Sequence, residues 1–167
     1  MAETRDALNA LASILGATTA TGQDAMAGAW VYPDEYADVN LSTLPAIVVT
    51  EKAATINQWG AKSSGVGYHR WMAEVLLFLY KGAPVHPSKQ AAEAELLQEG
   101  WVKAFGGALA DNLRLNDTVV KIGAPDGDFP LKYFDYSIEY LQWNQQEYWG
   151  IYFQIPMMQY VDQAMSV

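Results

Sequence analysis

The sequence predicts an α+β fold: an antiparallel or mixed sheet of four to six strands, with one long helix packed on it and an N-terminal helix. Three observations carry that expectation. First, Met72–Tyr80 is apolar except for Glu74. Alternation sends Trp71, Ala73, Val75, Leu77 and Leu79 to one face, and Met72, Leu76, Phe78 and Tyr80 to the other. A strand apolar on both faces is covered on both and belongs in the middle of a sheet. Second, residues 131–141 and 148–155 alternate with a period of two, as half-buried strands do. Third, residues 3–15 and 88–109 place apolar side chains at spacings of three and four, the helical period.

The elements follow in chain order. Leu8, Leu11, Ile14 and Leu15 make one stripe of the first helix, with Thr4 or Glu3 at its start and Gly16 at its end. Residues 16–28 are small and polar and predict a loop or a weak helical turn. Residues 29–32 predict a short strand. Asp34, Glu35 and Asp38 make an acidic, solvated loop. Residues 45–51, PAIVVTE, predict a strand with Pro45 at its first position, where a missing donor is tolerated. Residues 53–60 continue as a second strand, and 61–67, with Gly65 and Gly67, form a hairpin tip. A phosphate-binding loop requires a helix after its glycines, and here a strand follows.

Two prolines, Pro84 and Pro87, turn the chain into the long helix expected over 88–109, bent at Gly100 or at Gly106 and Gly107. Ala92, Leu96, Leu97, Trp101, Ala104, Phe105 and Ala108 form its apolar stripe. Residues 118–122, TVVKI, predict a strand, and 123–128, GAPDGD, a turn. Strands over 131–141 and 148–155 follow, joined by a turn at 144–147. Pro156 is expected to end the last of them. The whole is read as a single domain over 1–167, with a core of 3–156 and a C-terminal extension of 157–167.

Composition narrows function. Half the residues (51%) are apolar, enough for a sizeable core. The formal charge is −9, from nineteen acids against ten Lys and Arg. That excess disfavours a protein that holds nucleic acid by its phosphates, and sequence-specific nucleic-acid binding is not expected. No apolar run approaches the roughly twenty residues of a membrane span. There is no Cys, so disulfides, thiolate nucleophiles and Cys-ligated metals are excluded. The first residues, MAETRDALNALASILG, lack the basic start and apolar run of a signal peptide, so synthesis in the cytoplasm is expected.

No catalytic, cofactor-binding or metal-binding set assembles from the sequence. His69 and His86 stand outside any ligand spacing. Asp126 and Asp128 lack the further ligands of a calcium loop, and a turn explains them. Glu74 is the odd residue, an acid within an apolar strand. It is expected to pair with a cation or to lie where the sheet face is open. The aromatic content, with six Trp and ten Tyr, suits core packing, and also suits a protein interface or a sugar-stacking face.

The order of these segments resembles the tail terminators and other neck proteins of long-tailed bacteriophages. The resemblance runs over residues 3–156: an N-terminal helix, the strand LPAIVVTE, an excursion to RWMAEVLLFLY, a helix, TVVKIG, and closing strands ending in YWGIYFQIP. It implies a structural virion protein without enzymatic activity, forming a hexameric ring. That ring would cap the tail tube, bind the tail tube protein and the head-tail connector protein, and let DNA pass. A ring needs two different sticky surfaces on each subunit. Candidate contacts are Trp59, Gly65 and Gly67 in the hairpin tip, Tyr148, Trp149 and Tyr152 in the last strand, and Met157, Met158 and Tyr160 in the extension. A carbohydrate-binding module using an aromatic strand face is the alternative.

Overall fold

The computed structural model describes residues 4–20, 23–33, 39–52, 66–82, 98–119, 121–126, 129–132 and 134–162. Helix α1 (Thr4–Gly16) opens the chain. Strands β1 (Gly28–Tyr32), β2 (Ala46–Glu51) and β3 (Val66–Lys81) follow. A π-helical turn (Gln98–Val102) leads into helix α2 (Lys103–Ala110). Strands β4 (Lys121–Ile122), β5 (Ala124–Asp126), β6 (Phe129–Lys132), β7 (Asp135–Trp143) and β8 (Gln146–Asp162) complete it. The α+β expectation holds, with a six-stranded mixed sheet in the order β1-β2-β3-β8-β4 and β7 also paired to β8.

The strand read as central is central: β3 lies between β2 and β8, antiparallel to both. Its odd positions from Trp71 to Leu79 are buried beneath α1 and α2. Leu8, Leu11 and Leu15 of α1, with Trp101, Phe105 and Leu109, close over Ile47, Val49, Val75, Leu77, Ile151 and Phe153. Each fully buried side chain of that size contributes about 2 kcal/mol of transfer free energy. Among the described residues, the even face is covered at one end only. There Phe78, Tyr148, Leu141, Val48 and Ala46 pack with Leu41 and with Val39 and Leu44.

Four expectations are corrected. Among the described residues the second helix is short: α2 spans eight residues behind a π turn centred on Gly100, a residue that stabilises a regular helix poorly. The rest of the expected long helix, 88–97, lies outside the described residues, as do 53–60. The strand expected over 118–122 shrinks to Lys121–Ile122. Leu115, Asn116 and Asp117 have φ of 44°, 58° and 63°, so the chain is still turning there, and the Thr118 hydroxyl donates to the Leu115 carbonyl. The strand expected over 131–141 divides, because Ala124 and Asp126 of β5 pair with Lys132 and Phe129 of β6 in a ribbon of their own.

Fourth, Pro156 does not stop β8, which runs on to Asp162 opposite Val66. A residue's N and O point to the same side of a strand, and the Pro156 carbonyl accepts from Gly123 N–H on the side away from β3. Pairing with β7 ends at Gln154, and pairing with β4 starts at Met157. The missing N–H therefore falls in the gap between two short neighbours and removes no bond from the ladder. Residues 157–162 are part of the sheet, not an extension.

A candidate contact surface on the open sheet face

Burial alternates along β8 from Ile151 to Gln159: odd positions are buried and even positions half-buried. The same alternation runs from Trp71 to Leu77 in β3. Register puts Met72 beside Pro156, Glu74 beside Gln154, Leu76 beside Tyr152 and Arg70 beside Met158. Ser137 of β7 lies opposite Tyr152, and Asp135 opposite Gln154. Arg70, Met72, Glu74, Leu76, Tyr152, Gln154, Pro156 and Met158 therefore share one face, which α1 and α2 do not cover.

The residues expected at an interface separate on this geometry. Tyr152 and Met158 lie on the open face, half-buried. Tyr148 shares that face but is buried at its covered end, its ring 5.1 Å from that of Phe78. Trp149 and Met157 are corrected from contact residues to core residues, at 6% and 2% exposure. Their odd positions turn them toward the helices. Gly67 sits inside β3 opposite Val161 rather than at a hairpin tip. Tyr160 pairs through its backbone with Tyr68. Trp59 and Gly65 lie outside the described residues.

Tyr152 is the chemical centre of the face. The Gln154 amide donates to its hydroxyl at 3.0 Å. Its phenol is pushed up to about 12, first by burial, with the bond from Gln154 opposing. Hydrogen bonding and charge from Glu74, and charge from Glu139, raise it further. Ser137 donates to a Glu139 carboxylate oxygen. Glu74, expected to pair or to lie at an open face, is half-buried beside Tyr152.

Sequence reasoning does not single out Arg70, Glu139 or Pro156. Parity along β3 could have found Arg70, because it shares its face with Met72 and Glu74. Pro156 reads in the sequence only as a strand terminator.

Among the described residues, no group of three or more His, Asp or Glu side chains converges as a metal site. His69 lies in β3 opposite Gln159 through its backbone, and His86 lies outside the described residues. No described helix is long and apolar enough to cross a membrane. In comparisons with known proteins, no family model matches the chain, and no match is found among curated proteins.

Proposed function

We propose that the chain is a structural protein of a tailed-phage neck, of the tail-terminator kind. In this reading it assembles as a hexameric ring that caps the tail tube and joins it to the head-tail connector protein, and it acts in the virion. The observation that supports the reading best is the shape of the candidate site. It is a broad sheet face carrying Met72, Leu76, Tyr152, Pro156 and Met158, suited to lying against another protein. The net charge of −9 is consistent with a lumen that lets DNA slide without gripping its phosphates.

Light scattering on the purified protein, with negative-stain images of the same fraction, tests this. A ring of six subunits is the expected result. A protein that stays monomeric, both alone and with purified tail tubes, overturns it.

A second reading, a carbohydrate-binding module, draws on Tyr136 and Tyr140. Both are exposed, at 40% and 45%, on β7. They stand four residues apart, about 13 Å along a strand. A change in tryptophan fluorescence on adding a glycan would favour it.

A further inference from the structure

The open face is polarised along β3. Arg70 is exposed in the even-numbered row, and Glu74 stands four residues further on, with Met72 between them. The strand rise puts Arg70 and Glu74 about 13 Å apart along the strand. Glu139 reinforces the acidic end, since both it and Glu74 act on Tyr152. Among the described residues Arg70 has no ion-pair partner.

From this layout we infer that the open face docks a second copy of the chain, face to face, about a twofold axis that crosses β3 at Met72. Such an axis reverses β3, so Arg70 of each copy meets Glu74 of the other, and one residue pair supplies two contacts. Stacking in the same direction would set Arg70 on Arg70 and Glu74 on Glu74, which like charges oppose. Met72 sits on the axis. Leu76, Tyr152, Pro156 and Met158 supply apolar area around it.

Size sets the expected strength. Four strands at about 4.8 Å spacing and about seven residues of strand give a patch of roughly 19 by 23 Å. That is about half the area each partner contributes to a standard interface, roughly 800 Å². The pair is therefore reversible and concentration-dependent. The inference does not rest on the ring reading, because a ring closes through heterologous contacts and this one is isologous.

The absence of Cys makes the test clean, since Met72→Cys carries the chain's one thiol. Packed sheets lie about 10 Å apart, too far for a direct disulfide, so a short bis-maleimide is the cross-linker. At 0.15 M salt the Met72→Cys protein is expected to cross-link to a covalent dimer. Leu113→Cys, on an exposed residue in the turn after α2, serves as the background. Adding Arg70→Glu should weaken the pair about tenfold, because the symmetry counts each lost contact twice. Adding Glu74→Arg to that protein should restore it. Cross-linking of Met72→Cys no faster than Leu113→Cys overturns the inference, as does a yield that Arg70→Glu leaves unchanged. If no dimer cross-links while light scattering still shows six-subunit rings, this inference fails and the ring reading stands. A strict dimer that cross-links supports the twofold pair and overturns the ring reading.

Discussion

Gln159 is 3% exposed and joins three parts of the molecule. Its Oε1 accepts from Trp71 Nε1–H at 2.9 Å, its Nε2 donates to the Thr118 carbonyl at 2.9 Å, and the Thr4 hydroxyl reaches Oε1 at 3.5 Å. An apolar replacement would strand the Trp71 donor and the Thr118 acceptor. Gln159→Leu is therefore expected to cost about 2–4 kcal/mol, read as a lower urea midpoint at an unchanged slope. Tyr152 is a second test at this scale. Its folded pKa, about 12, lies above the ordinary value of 10.0, so the unfolded chain gives up this proton first. Its contribution to stability is complete below pH 10 and is lost as pH rises from 10 through 12. A spectrophotometric titration should show a late tyrosine step, and Tyr152→Phe should remove it. Glu74→Gln should move that step down, while burial keeps it above 10. If it returns all the way to 10, Glu74 and not burial is the main cause.

At the scale of elements, the molecule depends on how closely β3 and β8 approach each other. Gly150 lies opposite Phe78, next to the register shift between Phe78 and Tyr80. A Cβ there would sit 1.9 Å from the Leu77 carbonyl oxygen, which is backbone and cannot swing aside. Gly150→Ala is expected to destabilise the fold by about 3 kcal/mol or more, measured by thermal or urea unfolding. A loss under about 1 kcal/mol would mean that the two strands separate easily. Removing residues 157–167 is likewise expected to unfold the chain, visible as lost far-UV circular dichroism, because it strips partners from Val66–Trp71 and takes Met157 out of the core. Periodicity makes α1, β2 and the central place of β3 readable in the sequence, because local pattern and tertiary burial agree there. The turn at Asn144 and Gln145 is readable too, and their φ of 48° and 65° suit a two-residue hairpin between β7 and β8. The end of β8 is not, because Pro156 is harmless only where β7 and β4 leave a gap, which no local window reveals. Half of the candidate surface is visible as the even positions of β3. What covers one end of it, the chain around Leu41 and Leu44, comes from a distant segment without periodicity.

For the whole molecule, charge sets the terms on which copies meet. Each carries −9. Two such bodies about 30 Å apart, the separation expected of domains of this size, repel by about 11 kcal/mol in unscreened water. With a Debye length of about 30 Å at 0.01 M salt, roughly 4 kcal/mol remains, and at 0.15 M, where the length is about 8 Å, a few tenths. The two symmetry-related Arg70–Glu74 contacts contribute about 0.2–1 kcal/mol each. Net repulsion therefore wins at the lowest salt, and contact pairing wins near 0.15 M. By 1 M, with a Debye length of about 3 Å, the pairing is screened as well. Association should rise and then fall with salt, and sedimentation at fixed protein concentration over about 0.01–1 M would trace the curve. Arg70→Glu makes each copy more negative and removes the pairs. It should shift the rise to higher salt and abolish the fall, because nothing attractive is left to screen. A wild-type curve that falls from the lowest salt onward would show that local pairing outweighs the −9, and that the electrostatics of this surface are short-range throughout.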